Sequence, residues 1–149
     1  MQTDLLASLI DKKLVVLERL RQLSLRQPEL IQEGDMTSLL TILGAKQTLL
    51  NELHALEREI DPFRAEDPDQ RVWRSTDDRL RCRQASERCE TLLQEVMLIE
   101  QQCESSLSKR RDDVADKLKE FHHAAHATAA YVDFAPHMAT SQLDLMSET

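Results

Sequence analysis

Four side chains that could bind a metal ion lie close together in the last third of the chain: Glu120, His122, His123 and His126. Glu120 and His123 form an E-x-x-H motif, which is one half of the signature of di-iron helical bundles. The complete site needs a second E-x-x-H motif and two further glutamates on facing helices. Neither of the two other histidines in the chain follows a glutamate by three residues. The sequence therefore does not predict a di-iron site.

His122 and His126 remain as weak candidate metal ligands, because residues four apart lie on one face of a helix. Two ligands make only an adventitious site, since zinc sites in proteins use three or four protein ligands. Histidines also suit the carboxyl end of a helix for electrostatic reasons, because that end is the negative pole of the helix dipole. We therefore expect neither a metal ion nor any other cofactor.

The three cysteines, Cys82, Cys89 and Cys103, are separated by multiples of seven residues. On one helix, the first two lie roughly 10 Å apart along the axis, which is too far for a disulfide. An odd number of cysteines without a C-x-x-C motif is typical of buried, reduced thiols. We expect them to pack in a core.

Other signatures of catalysis are missing from the sequence. The chain has two isolated glycines, which cannot form a glycine-rich phosphate loop, and no serine lies in a nucleophile elbow. We therefore expect a protein that is not an enzyme.

Charge and hydropathy argue against nucleic acid and membranes as partners. The net charge of −8 argues against nucleic acid, and the one basic run, Lys109 to Arg111, is followed at once by acidic residues, as on a solvated helix face. No stretch of about 18 uncharged apolar residues exists to span a membrane. Asp4, Asp11 and Lys12 interrupt any apolar core of a signal peptide. We expect a cytoplasmic protein without membrane insertion.

One stretch without glycine or proline dominates the second half of the chain, between Pro68 and Pro136. Its apolar residues recur at steps of three and four, the period of one helix face. The pattern slips after Cys103 by two successive steps of four, a stutter that rotates the face locally. The face before the slip comprises Ala85, Cys89, Leu92, Val96, Ile99 and Cys103, and the face after it continues through Leu107, Arg111, Val114, Leu118, Phe121, Ala125, Thr128 and Val132.

Two shorter helices precede this one. The first has a wide apolar face and ends at Gly34, and Pro28 predicts a kink or break near Ser24 to Gln27. The second carries a seam from Leu39 to Ile60, in which Lys46 is the one polar member. We expect the lysine methylenes to cover the seam and its ammonium to reach water. The predicted helices span residues 3–33, 35–60 and 76–130, and Asp61-Pro62 is expected to end the second.

The low content of glycine (2 residues) and proline (4 residues) indicates few loops. The sequence therefore predicts an all-α fold, an antiparallel three-helix bundle or coiled coil whose very long third helix overhangs the other two. Residues 1–132 form the bundle, and residues 133–149 are predicted to be a flexible tail. Val72 and Trp73, in the long connection, are expected to pin that loop to the end of the bundle.

The face after the slip is the candidate partner-binding site. With short connections, the third helix outruns the other two at its carboxyl half, which leaves an apolar face in water. Exposed faces of this kind mark interfaces. The alternative is that the helix breaks near Arg110 and folds back onto its own bundle. The predicted partner-binding residues are Val114, Leu118, Phe121, Ala125, Tyr131 and Val132.

Two segments, Gly34 to Leu40 and Ala45 to Leu53, resemble the FlgN-type flagellar export chaperones. In that family a long helix ends in a Gly-Asp or Asn-Asp break, a second helix carries a lysine and a Leu-Leu pair, and a very long third helix follows. The family often has a glycine shortly after a tyrosine near the tail, whereas Tyr131 is followed here by Val-Asp-Phe-Ala-Pro.

The resemblance implies a cytoplasmic chaperone for helical segments of hook–filament junction proteins, held by helix-in-groove association and delivered to the export apparatus. A structural coiled coil that acts only through self-oligomerisation, such as a homodimer, is the alternative. A metal-binding bundle is the third and weakest hypothesis.

Overall fold

A computed structural model describes residues 2–131 of the chain, with side chains as far as residue 129. Three α-helices account for nearly all of this range: α1 (Gln2–Glu33), α2 (Met36–Arg64) and α3 (Thr76–Tyr131). A 3-10 turn, Pro68–Gln70, lies in the connection between α2 and α3, and the described residues contain no strand. The predicted all-α class, with three helices of which the third is by far the longest, is confirmed. The predicted tail, 133–149, lies outside the described residues.

The chain divides into two compact units, with the boundary between Ser106 and Leu107. The boundary falls where the apolar pattern of α3 slips, so the stutter in the sequence marks a real change in the molecule. We call residues 2–106 the first unit and the helical residues 107–131 the second unit. Helix α3 is assigned without interruption from Thr76 to Tyr131, so the break considered near Arg110 does not occur.

In the first unit, α1 and α2 run antiparallel. Near the start of α1, Lys13 pairs with Glu57 late in α2, with 2.5 Å between the lysine nitrogen and a carboxylate oxygen. Near the end of α1, the Gln27 side-chain oxygen accepts a hydrogen bond from Lys46, early in α2. Contacts early in α1 are made to residues late in α2, and the reverse holds at the other end, as in an antiparallel pair of helices.

Helix α3 runs parallel to α1 within the first unit. The Cys89 thiol lies 3.8 Å from the backbone oxygen of Ile10, and further along both helices the Ser24 hydroxyl lies 3.1 Å from a Glu100 carboxylate oxygen. The three helices therefore pass up, down and up, as predicted.

The core of the first unit follows the predicted seams. Leu9, Leu17, Leu20 and Leu92 are almost completely buried, and burial of such side chains provides the main driving force for packing the helices. The seam of α2 is buried as predicted, except that Leu56 is only partly so. In the part of α3 that belongs to the first unit, the buried or partly buried apolar positions are Cys82, Ala85, Cys89, Leu92, Val96, Ile99 and Cys103.

Pro28 does not break α1, which was one of the two outcomes predicted for it. The helix is continuous to Glu33, and Ile31 beyond the proline is buried against Leu39 and Cys103. The proline removes one backbone donor near the end of the helix, and this apolar contact holds the last turn in place. Of the kink or break predicted near Ser24 to Gln27, the break does not occur, and the kink stays a prediction.

Pro62 does not end α2 either, because the helix continues to Arg64. Phe63 is buried in the core, so the extra turn gains apolar burial. Arg64 adds ion pairs to Glu57 and Asp61 on the same helix. These contacts compensate for the one hydrogen bond that the proline removes.

Each of the two connections between the helices ends in a residue that caps the next helix. Gly34 has a φ of 74°, a left-handed conformation that glycine adopts without strain. Asp35 then caps α2 by accepting a hydrogen bond from the Ser38 backbone at 3.1 Å. Ser75 caps α3 in the same way through the Asp78 backbone, also at 3.1 Å.

The loop before α3 is attached to the first unit. Trp73 packs against the core, as predicted, but the Val72 side chain is exposed and only its backbone oxygen takes part, accepting a hydrogen bond from the Thr3 hydroxyl at 2.8 Å.

Candidate functional site

The predicted partner-binding face lies on the second unit and is apolar and exposed. Val114, Leu118 and Phe121 are 52%, 54% and 53% exposed, although they follow one another at steps of four and three like core positions. Leu107 is exposed at the start of this face, and Ala125 is half-buried near its end. We call Leu107, Val114, Leu118, Phe121 and Ala125 the outer stripe.

Two predicted members cannot be placed in this face from side-chain positions. Tyr131 is the last residue of α3, and its side chain lies outside what the structure describes. Val132 lies beyond the described residues altogether.

The residues of the outer stripe stay on one side because the second unit is itself helical. The second unit is rich in alanine between Ala115 and Ala129 and contains no glycine or proline, and this composition favours a helix without help from neighbours. Thr128 turns its hydroxyl back to the Ala124 carbonyl at 2.8 Å, so it adds no donor to the face. What the stripe offers is apolar contact along several helical turns.

Three histidines lie in the same part of the second unit as Phe121. His122 packs edge-on against Phe121, with 6.4 Å between ring centroids and 68° between ring planes. His122, His123 and His126 are all exposed. Among residues 2–131, no group of three or more His, Cys, Asp or Glu side chains is arranged to hold a metal ion.

A buried polar network in the first unit was not foreseen. Lys46 is only 6% exposed, and its ammonium donates to the Gln27 side-chain oxygen at 2.5 Å and forms an ion pair with Glu100. The Ser24 hydroxyl donates a hydrogen bond to the same Glu100 carboxylate. The prediction that the Lys46 ammonium reaches water is therefore wrong. The ammonium instead contacts Gln27 on α1 and Glu100 on α3.

This network joins all three helices at one level. A polar residue in an otherwise apolar seam selects the register in which its partners meet it, because other registers leave buried groups unpaired. Gln27 is 2% exposed and accepts from Lys46. The network therefore specifies how the first unit packs and offers no open site.

The three cysteines are structural. Cys82, Cys89 and Cys103 are buried and free, and burial raises the pKa of each thiol. A raised pKa keeps sulfur in its unreactive thiol form at neutral pH. These positions fill the core, as the sequence predicted.

A cleft of about 420 Å³ lies at the loop end of the first unit, between Ile10, Phe63 and Trp73. Several cations line it, but Lys13, Arg64 and Arg83 each pair with a carboxylate of the same unit. Arg71 also lies near a carboxylate, that of Glu66, and among the lining cations only Arg79 has no ion pair with a described residue.

The described residues thus define an all-α protein whose second unit carries an exposed apolar helical face. Exposed apolar side chains at the same spacing also occur on α2, at Met36, Leu40 and Leu43. Comparison of the chain with protein-family models, with curated proteins and with solved structures finds no match. Within residues 2–131, no helix combines the length and the apolar character needed to cross a membrane.

Proposed function

We propose that this protein is a chaperone that binds an apolar helical segment of a client protein along the outer stripe. The observation that carries the proposal is the exposure of Val114, Leu118 and Phe121 on an uninterrupted helix. Evenly spaced large apolar side chains in water are unfavourable, and a facing helix with the same spacing removes them from water. This activity is binding without catalysis.

The magnitude of the contact sets what a client must add. Fully burying a Leu, Val or Phe side chain gains about 1.5–3 kcal/mol, so completing the burial of three side chains that are about half exposed gains roughly 2–5 kcal/mol. A client helix that buries a similar face brings the total to roughly 4–9 kcal/mol, which is comparable to the cost of association. The complex is therefore reversible and needs contacts beyond these three side chains.

The kind of client is proposed from the resemblance to FlgN-type chaperones. The resembling segment from Gly34 to Leu53 includes the left-handed glycine and the Asp35 cap that separate α1 from α2. On this likeness, the clients are hook–filament junction proteins, which are held in the cytoplasm and passed to the export apparatus.

The test is capture of a candidate client by the full chain. A tagged terminal helical segment of a hook–filament junction protein is bound to resin, and retention of the wild type is compared with that of Leu118→Asp/Phe121→Asp. We expect this double variant to lose binding, because each carboxylate would have to be desolvated in the contact.

A matched control places the same two charges on the opposite side of the helix. His123 and Ala127 are exposed and lie about 140–180° around the helix from Leu118. His123→Asp/Ala127→Asp is expected to bind the client as the wild type does. Equal loss in both double variants, or no loss in either, would exclude the outer stripe as the client site.

Sedimentation of the wild type without client tests the alternative function. A stable homodimer that Leu118→Asp/Phe121→Asp converts to monomer, together with no client capture, would identify a self-associating structural protein.

A further inference from the structure

The charges of the second unit are sorted by sign around the outer stripe. Each residue advances about 100° around a helix, so Leu107 and Ala125 point in the same direction and mark the centre of the stripe. Arg110, Arg111 and Lys117 then lie within about 80° of that centre, so they border or interrupt the apolar surface.

The acidic residues lie on the other side. All four carboxylates of this helical segment are about 120° or more from the stripe centre, together with the remaining two lysines. These residues are exposed. The acidic residues are Asp112, Asp113, Asp116 and Glu120, and the lysines are Lys109 and Lys119.

The cations beside the stripe are poorly compensated. Arg111 lies 3.7 Å from an Asp112 carboxylate oxygen, and both side chains are exposed to water. Among the described residues, Arg110 and Lys117 have no ion-pair partner. A partner that covers the stripe therefore meets positive charge at its edges.

We infer that the partner of the outer stripe is an amphipathic helix whose apolar face is bordered by Asp or Glu side chains. This inference rests on the proposed function and adds the charge pattern of the client. Carboxylates beside the apolar face of the client would pair with Arg110 and Lys117, which adds specificity to a contact that is otherwise only apolar.

A second copy of this chain does not fit that description. A parallel pair of outer stripes would bring Arg110 of one copy beside Arg111 of the other, and an antiparallel pair would bring the two Lys117 side chains together, while the carboxylates of both copies point away. Like charges at such flanks disfavour pairing.

One short run among the chain's own last residues does not fit either. The outer stripe extends over residues 107–125, or roughly 27 Å of helix. The acidic-apolar run from Leu143 to Met146 has four residues and reaches only about 14 Å even when fully extended. A longer acidic amphipathic helix from another protein matches the whole stripe.

The net charge of the chain predicts a basic partner, whereas the charges beside the outer stripe predict an acidic one. An experiment can therefore distinguish the two. At −8, the protein as a whole attracts a basic partner at long range. If the charges bordering the stripe decide binding, an acidic partner is preferred in spite of this net charge.

The experiment uses two synthetic peptides of about 20 residues, the length that covers the stripe. Both carry leucine at every core heptad position, and the positions beside the core are all Glu in one peptide and all Lys in the other. Fluorescence anisotropy with the full-length protein at low salt gives both dissociation constants. We expect the Glu-flanked peptide to bind about tenfold more tightly. Its glutamates can form ion pairs with Arg110 and Lys117, whereas the lysines of the other peptide are repelled by them.

Two charge-reversal variants separate local from overall charge. Arg110→Glu/Lys117→Glu is expected to reverse the preference between the peptides. Lys109→Glu/Lys119→Glu makes the same change in net charge away from the stripe, and its preference is expected to remain that of the wild type.

Failure of this inference differs from failure of the proposed function. If both peptides bind the wild type equally, or the Lys-flanked peptide binds more tightly, and Leu118→Asp/Phe121→Asp abolishes that binding, the stripe is a docking site but its partner is not acidic. The inference also falls if the two charge-reversal variants behave alike. If neither peptide binds the wild type, the stripe does not dock helices, and the proposed function falls as well.

Discussion

Two regions of α3 carry the same apolar period and lie in opposite environments. In the first unit, Leu92 is 0% exposed and packs in the core with Cys89 and Val96. In the second unit, Leu118 is 54% exposed and its neighbours along the stripe are exposed too. The comparison shows that a helical period defines an apolar face but does not say what covers it.

The two regions also differ in how their polar groups are satisfied. In the first unit, Lys46 and Glu100 pair across helices, and Ser24 and Gln27 complete the network. In the second unit, Arg110 and Lys117 have no ion-pair partner among the described residues. Exposed cations without an ion pair also occur in the first unit, for example Arg19 and Arg26. What distinguishes the second unit is that such cations lie beside an exposed apolar stripe.

The largest expected effect comes from one substitution made in both regions. Leu92→Ala removes a fully buried side chain and should lower the free energy of unfolding by about 2–5 kcal/mol. Leu118→Ala makes the same change on the same helix at an exposed position and should cost less than about 0.5 kcal/mol. Urea unfolding of the two variants measures the difference, and similar losses in both would show that the two regions are not distinct.

The buried polar network provides the next largest effect. Lys46→Met should cost about 1–3 kcal/mol, mainly because the Gln27 oxygen is left buried without a donor. The Glu100 side chain is 40% exposed, so it can regain water. Adding Gln27→Leu should restore most of the lost stability, because the unpaired acceptor is then gone.

Urea unfolding of the single and double variants tests this coupling. A double variant that is less stable than Lys46→Met alone would show that Gln27 contributes by packing and not through its bond to Lys46.

The smallest expected effect is a pH dependence at the start of α2. The hydrogen bonds from the Ser38 side chain and backbone lower the pKa of Asp35 below its usual 3.8. A lowered folded-state pKa stabilises the protein above pH 3.8, and the contribution is lost as the pH falls through the folded-state value. Asp35→Asn keeps an acceptor for Ser38 but does not titrate in this range.

The difference in melting temperature between the wild type and Asp35→Asn should therefore shrink between about pH 6 and pH 3. A difference that stays constant or grows over this range would contradict the assignment.

The local features of the fold were predictable from the sequence. The start of α3 at Thr76 and the seam from Ala85 to Cys103 follow from a starting signal and a regular period. Gly34 and Asp35 marked the break between α1 and α2 because each suits one backbone position there. The outer stripe was predicted from the same period, and in the structure Leu107, Val114, Leu118 and Phe121 are exposed.

The features that were predicted wrongly depend on contacts with residues that are distant in sequence. The end of α2 was placed too early because Phe63 reaches the core only when all three helices are assembled. The buried state of Lys46 depends on Gln27 and Glu100, which lie 19 and 54 residues away. Local propensity is a weak guide where tertiary contacts compensate for its cost.

The central claim is that the outer stripe serves binding and not folding, and a thermal melt of Leu118→Asp/Phe121→Asp followed by circular dichroism tests it most directly. We predict that helix content and melting temperature stay nearly the same as in the wild type, because both side chains are already more than half exposed. A large drop in melting temperature would place Leu118 and Phe121 in the core and contradict the account.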